Sequence, residues 1–217
     1  MLPLDLLNQE IVECRLCPRL VEWRERVARE KRKSFEHEVY WGRPLPYFGD
    51  PEATRLILGL APAAHGGNRT GRMFTGDRSG DWLYRALFKA GVANQAEAVD
   101  RNDGLALRGV LIAATAHCAP PDNKPLTSEV ENCSRYLLNL LAQREWKSIL
   151  CLGGIAWNHI HRLLQVRPPK FGHGAVSRVP SGTLLVASYH PSQQNTFTGR
   201  LTEEMLDAAI ALWLERS

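Results

Sequence analysis

The chain has 217 residues, 44% of them hydrophobic, and a formal net charge of +4. This predicts one domain with a sizeable core, and no run approaches the roughly 20 apolar residues that cross a bilayer. Within the single domain 1–217, we expect 1–54 to be a helical and extended amino-terminal segment and 55–217 to be an α/β core.

The amino-terminal segment is predicted to be helical first and extended later. Residues 4–33 have the pattern of one or two helices, and residues 34–54 contain three prolines and two glycines. Prolines and glycines at this density interrupt helices, which indicates an extended connector.

Short apolar runs alternate with helical patterns in the rest of the chain. The strand-like runs are 55–60, 110–116, 148–152 and 184–188. The helical patterns cover about 82–91, 128–141 and 155–164, and one more begins near 202. Ser128 with Glu131 fits a capping box, and Thr202 is a predicted helix cap. This alternation is typical of an α/β fold with a parallel sheet covered on both faces.

Polar loops follow all four predicted strands. They cover 61–77, 118–124, 153–154 and 190–200. Ligands of such sheets bind beyond the carboxyl ends of the strands, so we expect these loops to form one site.

The first of these loops is rich in glycine. Gly66 and Gly71 have the spacing of a phosphate-binding loop, but Arg72-Met73 stands where Lys and Ser or Thr are required, which excludes that motif. Phe74 is the one aromatic residue among polar neighbours, and either stacking on a planar ligand or simple packing would explain it.

The last loop combines amides, hydroxyls, Phe197 and Arg200. Amides and hydroxyls can hydrogen-bond phosphate oxygens, and an aromatic ring can wedge between bases. His190, directly after the last strand, is well placed to stabilise charge, although a lone histidine is more often structural. Residues 146–202 contain no Asp or Glu and six Lys or Arg, which favours a surface for a polyanion over chance solvation.

Four cysteines predict a metal centre. Cys14-x-x-Cys17 lies in a polar segment, and Cys118 and Cys133 follow far downstream. The first ten residues lack a secretory signal pattern, so we expect a cytoplasmic location and reduced thiols rather than disulfides. Four thiolates would bind zinc or an iron–sulfur cluster. Cys151 lies inside a predicted buried strand and is expected to be a core residue.

Several motifs together resemble the uracil-DNA glycosylase superfamily. They are Gly59-Leu60-Ala61-Pro62-Ala63, the segment from Gly71 to Asp77, the four cysteines and His190-Pro191-Ser192. The pattern covers nearly the whole chain and is most similar to family 5 (the UDGb type), with family 4 a near relative. The resemblance implies a three-layer α/β/α sandwich around a four-stranded parallel sheet. It also implies a 4Fe–4S cluster held by the four cysteines.

The resemblance also implies roles for individual residues. The implied catalytic residues are Asp77, Asn123 and His190. The implied base-binding residues are Ala63, Phe74, Ala114, Asn123 and His190. The predicted DNA-binding residues are Arg69, Gln193, Gln194, Asn195 and Arg200.

Two positions depart from the family 4 pattern. Leu60 replaces a glutamate and Ala114 replaces a base-reading asparagine, which are family 5 traits and imply a broader base range that includes hypoxanthine. The expected reaction is hydrolysis of the N-glycosidic bond by a monofunctional enzyme, because no lysine is placed for a Schiff base. The expected partner is double-stranded DNA with damaged bases, and single-stranded DNA as well, bound by a monomer. A non-catalytic metal-containing DNA-binding module and a redox iron–sulfur protein are the alternatives.

Overall fold

The computed structural model describes residues 3–215. Within them the chain forms eight α-helices and six β-strands. The helices are α1 (Leu4–Glu13), α2 (Pro18–Glu30), α3 (Gly67–Thr70), α4 (Arg78–Lys89), α5 (Thr127–Ala142), α6 (Gly154–Leu163), α7 (Gln193–Phe197) and α8 (Glu203–Leu214). The strands are β1 (Phe48–Gly49), β2 (Arg55–Gly59), β3 (Val110–Ala114), β4 (Ser148–Leu152), β5 (Val176–Arg178) and β6 (Leu184–Ser188). None of the helices in this part of the chain has the length and apolar character that a bilayer crossing requires.

The sheet is mixed and six-stranded, in the order β1-β3-β2-β4-β6-β5. The four inner strands are parallel, and both edge strands are antiparallel to their neighbours. The prediction of a four-stranded parallel sheet is therefore wrong for the sheet as a whole. The prediction describes only the four inner strands. It missed the edge strands because they have only two and three residues and β5 has no buried residue. Strands so short and exposed leave no apolar run in the sequence.

The inner strands are buried on both faces. Leu56, Leu111, Ile149 and Leu185 lie in register across the sheet, and each is at most 1% exposed. This explains why the inner strands are continuous apolar runs. Their common register also places their carboxyl ends at one edge of the sheet.

Helices cover both faces of the sheet. One core packs α4 and α8 against one face, and the other packs α1, α5 and α6 against the opposite face. The α/β/α layering is thus present, and α1 belongs to the second core rather than to a separate unit. The backbone N–H of Tyr47, in the connector, donates to Asn8 Oδ1 of α1 at 2.9 Å, which ties the amino-terminal segment together.

The helix ends agree only in part with the sequence. Thr202 caps α8 as predicted, since its Oγ1 accepts a hydrogen bond from Met205 N–H at 3.3 Å. The capping box at Ser128 is wrong, because α5 begins at Thr127 and Glu129 Oε2 accepts from Leu126 N–H at 2.7 Å. Glu131 forms an ion pair with Arg162 of α6 instead.

Candidate active site

Asp77 is held rigidly at the end of the loop that follows β2. It is the N-cap of α4, and its Oδ1 accepts hydrogen bonds from Ser79 N–H at 2.9 Å and Gly80 N–H at 3.2 Å. Its Oδ2 lies against Gly66, where a Cβ atom would collide with it. Burial raises the pKa of the Asp77 carboxyl, and the two backbone donors oppose this by favouring the ionised form.

Phe74 stacks on His190, so the loops after β2 and β6 meet. The ring centroids are 5.8 Å apart and the ring planes are inclined by 29°. Phe74 has a φ of 50°, which is unusual for a residue with a side chain. A Cβ at Gly59 would lie 2.8 Å from the Phe74 ring, so this glycine allows the ring to lie over the end of β2. Ala114 is the register partner of Gly59, so two small residues lie side by side at this edge of the sheet.

The surroundings of His190 favour the neutral imidazole. Burial lowers its pKa to about 4. Gly153, at the end of β4, allows close approach, since a Cβ there would lie 3.7 Å from the His190 Cβ. The Asn195 side chain donates to the His190 carbonyl at 2.9 Å and so fixes the backbone at this point. A neutral imidazole can donate a single N–H hydrogen bond without carrying charge.

Asn123 lies on the neighbouring loop, in a 3₁₀ turn over Pro121–Asn123. It is exposed, and among residues 3–215 no hydrogen bond or ring contact joins it to Asp77 or His190. Asp122 and Asn123 have φ values of 54° and 55°. Two consecutive residues in the left-handed region are strained, and such strain often marks a functional site.

Ala63 and Arg69 have roles inside the first loop. The Ala63 carbonyl accepts hydrogen bonds from Gly66 N–H and Asn68 N–H. The Arg69 side chain is 9% exposed and contacts Glu38 at 2.5 Å, the His65 carbonyl at 2.8 Å and the Gly76 carbonyl at 3.1 Å. We therefore correct the predicted DNA contact of Arg69, because its guanidinium is engaged within the protein and holds the loop together.

Arg72 is a residue that the sequence did not reveal. Its guanidinium forms a bidentate pair with Asp103, with both distances 2.7 Å, and its Nε donates to Thr75 Oγ1 at 2.9 Å. This buried pair supports the backbone from which Phe74 projects. The sequence contains no signal for it, because Asp103 lies 31 residues downstream.

The loop after β6 faces outward. Gln193 and Gln194 are exposed, whereas the side-chain amide of Asn195 donates a hydrogen bond to the His190 carbonyl. Phe197 is 67% exposed with the Arg78 guanidinium carbon 4.6 Å from its ring centroid. This loop therefore presents an uncovered aromatic ring beside the pocket.

The acid-free stretch does not form a single basic surface. Arg162 is neutralised by Glu131 at 3.0 Å. Lys147 directly precedes β4, and Arg178 is paired with Leu184, the first residue of β6. Both cations therefore lie at the amino edge of the sheet, away from the pocket. Arg200 is on the pocket side and exposed, with its guanidinium carbon 4.6 Å from the Tyr189 ring centroid.

The five cysteines are all free thiols. Cys151 is fully buried in β4, which confirms it as a core residue. The other four are close enough to interact electrostatically. Burial, reinforced by the neighbouring thiols, raises the pKa of Cys118 to about 11 and that of Cys133 to about 12.

Arg24 provides a test of whether these cysteines fit an anionic centre. It is only 2% exposed, and it donates to Cys118 Sγ at 2.9 Å and to the Cys14 carbonyl at 3.3 Å. Among the described residues 3–215, its Nε is buried without a hydrogen-bond partner, and the one carboxylate within 4.0 Å of its guanidinium is that of Glu25, at 4.0 Å. A buried cation needs a negative partner, and thiolates at Cys118 and its neighbours would provide one.

Four cysteine side chains beside the buried Arg24 make up the donor set of this candidate centre. Within residues 3–215 no group of three or more His, Cys, Asp or Glu side chains has the geometry to hold a single metal ion. A 4Fe–4S cluster is held by four cysteine thiolates. The donor set and the buried Arg24 fit such a cluster.

The fold and the site together define an α/β protein with a candidate active site at the carboxyl edge of its sheet. The family described as the Uracil DNA glycosylase superfamily matches residues 46–214. The Type-5 uracil-DNA glycosylase of Mycobacterium leprae is 51% identical over 211 residues, covering 93% of this chain and 90% of that protein. Those of Thermus thermophilus (50% identity, 91% and 90% coverage) and Pyrobaculum aerophilum (46%, 93% and 88%) are similar over comparable lengths. The chain belongs to the uracil-DNA glycosylase superfamily, which confirms the family resemblance of its motifs.

Proposed function

We propose that the protein is a DNA repair glycosylase that hydrolyses the N-glycosidic bond of uracil in DNA and leaves an abasic site. Family membership and three relatives named Type-5 uracil-DNA glycosylase support this activity. The observation that carries the mechanism is the stacking of Phe74 on His190 at the edge of the sheet, beside the fixed Asp77.

The pocket is suited to a base that has left the DNA stack. Flipping costs a few kcal/mol of unstacking and unpairing free energy, which contacts in the pocket must offset. Phe74 offers an aromatic ring for stacking, and Gly59 allows that ring to lie over the end of β2, where Ala114 is its register partner. Ala63 lies in the same loop and is proposed to contact the base.

His190 stabilises the departing base. As the glycosidic bond breaks, negative charge develops on the base, and the neutral imidazole donates a hydrogen bond to a base oxygen. A neutral histidine in this role keeps its proton while it polarises the oxygen, as its lowered pKa requires.

Asp77 acts on the other side of the bond. The sugar gains positive charge as the base leaves, and the Asp77 carboxylate either offsets that charge or orients the attacking water. Two backbone N–H groups hold the carboxylate in place, so little reorganisation is needed during the reaction. Asn123, on its strained turn, is proposed to hold the base or the water.

The substrate range is proposed to extend beyond uracil to hypoxanthine. Leu60 supplies no carboxylate, and Ala114 supplies no amide to read the edge of the base. A pocket without these groups discriminates less between bases. With no lysine assigned to covalent chemistry, the enzyme is proposed to be monofunctional.

The proposed cofactor is a 4Fe–4S cluster held by Cys14, Cys17, Cys118 and Cys133. When bound, the cluster would supply a structural cross-link between the start of α2, the loop after β3 and helix α5. Besides Arg24, the Asn132 side chain donates to Cys17 Sγ at 3.4 Å. Donors to sulfur of this kind stabilise thiolates.

The proposed substrate is double-stranded DNA with a damaged base, and also single-stranded DNA, bound by a monomer in the cytoplasm. The predicted DNA contacts are made by Gln193, Gln194, Asn195 and Arg200, with Phe197 as a wedge between bases. Of the two alternatives, a non-catalytic metal-containing DNA-binding module would leave the rigid Asp77 and the neutral His190 without a role.

A base-release assay tests the proposal. Purified protein is incubated with duplexes that carry uracil, hypoxanthine, xanthine or thymine opposite each normal base. We expect free uracil and hypoxanthine, with strand breakage only after alkali, as for a monofunctional enzyme. Duplex binding without release of any base would support the binding module and overturn the proposed activity.

A further inference from the structure

A groove on the amino-terminal segment is not part of the pocket described above. It has a volume of about 520 Å³ and lies between the end of α1, one side of α2 and the connector. The lining includes Arg29, Trp41 and Arg43, together with Glu13 and Glu25. Glu25 is engaged by Arg15 at 2.5 Å, so the groove is basic overall.

Trp41 attaches this groove to the loop that carries Asp77. Its backbone N–H donates to the Arg69 carbonyl at 2.9 Å, and its indole N–H donates to the Pro44 carbonyl at 3.0 Å. The ring lies against Gly71, where a Cβ would be 3.1 Å from it. Trp41 is therefore fixed to the same loop that presents Phe74 and Asp77 to the pocket.

Two arginines lie against the Trp41 ring. The guanidinium carbon of Arg101 is 4.8 Å from the ring centroid and that of Arg43 is 5.9 Å away. Both side chains are exposed, and in the part of the chain that the structure describes neither is within 4.0 Å of a carboxylate oxygen. The neighbouring Arg72, by contrast, is neutralised by Asp103 at 2.7 Å.

We propose that Arg43 and Arg101, supported by Trp41, bind backbone phosphates of the DNA strand that flanks the flipped nucleotide. This inference rests on the proposed function, since it requires DNA in the neighbouring pocket. Guanidinium groups bind phosphate oxygens well, and contact with an aromatic ring orients them for this. The Trp41 ring already contacts Gly71 and both guanidiniums, so it supports the arginines instead of stacking on a base.

Salt dependence of DNA binding tests the inference. The variant Arg43→Gln/Arg101→Gln is compared with Arg108→Gln, which changes an exposed arginine next to the amino end of β3. Dissociation constants are measured over a range of salt concentrations, with both uracil-containing and undamaged duplexes. If each arginine meets one phosphate, the double variant lowers the slope of log K against log salt by about 2, and Arg108→Gln leaves it unchanged.

Further measurements keep the two proposals separate. Single-turnover base release at saturating enzyme is expected to be the same in Arg108→Gln as in the wild type, because this exposed arginine belongs to neither proposed site. The duplex is also shortened on one flank of the damaged base at a time. The difference in slope between the double variant and the wild type should disappear when one flank is shortened and persist when the other is. The first of these is the flank that Arg43 and Arg101 contact. An unchanged slope in the double variant would overturn the phosphate site. If the wild type releases no base while the double variant still has the lower slope, the phosphate site stands and the proposed activity is refuted.

Discussion

Replacing Gly66 by alanine is expected to slow the reaction strongly, although no catalytic side chain is replaced. A Cβ at residue 66 would lie 2.9 Å from Asp77 Cγ and closer still to Oδ2, whereas ordinary contact begins at 3.4 Å. The carboxylate would have to retreat by about 0.5 Å at Cγ and about 1.3 Å at Oδ2, and a displacement of this size can lower the rate by about 100-fold. Asp77 cannot swing freely, because two backbone N–H groups of α4 hold its Oδ1.

The assay is single-turnover release of uracil with saturating enzyme. Gly66→Ala should react about 100-fold more slowly than wild type. Gly172→Ala is the matched control, because a Cβ at residue 172 meets nothing within 4 Å and its backbone is not in the left-handed region. Thermal unfolding of both variants shows whether the fold is retained.

A double-variant comparison identifies the route of the effect. If Gly66→Ala acts only through Asp77, adding it to Asp77→Ala should cause little further loss, because the group that it displaces is already absent. Two losses that multiply, or a folded Gly66→Ala variant with wild-type rates, would refute the reasoning.

Three more predictions follow from the thiols, the outer loop and the histidines. Cys118→Ser should lose iron or stability while Cys151→Ser keeps both, as measured by iron content and visible absorbance; equal iron in the two variants would refute the ligand assignment. Arg200→Ala should lower the salt slope of duplex binding by about one if it meets one phosphate, and an unchanged slope would show that it meets none. Burial lowers the pKa of His159 and His190 to about 4 each, from 6.5 when exposed, so the unfolded chain binds more protons between these values. The free energy of unfolding should therefore fall as the pH drops from about 6.5 towards 4, with a shallower fall in His190→Gln, as measured by urea unfolding at several pH values.

The inner strands could be predicted from the sequence because they are buried on both faces. The runs 148–152 and 184–188 match β4 and β6 residue for residue, whereas the helix predicted over about 82–91 begins four residues earlier, at Arg78, and ends at Lys89. The edge strands could not be predicted, since two or three partly exposed residues have no distinctive pattern.

The candidate site was predictable where a residue's place in the chain fixes its position. His190 follows a predicted strand, so the parallel sheet puts it at the carboxyl edge. Arg69 was misassigned because an arginine in a polar loop resembles a DNA contact, and its partner Glu38 lies 31 residues away. Arg24 gave no signal at all, since a buried cation is recognisable only once its distant sulfur partner is known.

The most direct test of the central claim is the effect of His190→Ala on single-turnover release of uracil and hypoxanthine at saturating enzyme. Loss of a hydrogen-bond donor to the departing base should slow release by roughly 100-fold or more, and the poorer leaving group should be slowed more. Duplex affinity should change little, because phosphate contacts dominate it. Release at the wild-type rate by the folded variant would show that His190 is structural and would contradict the account.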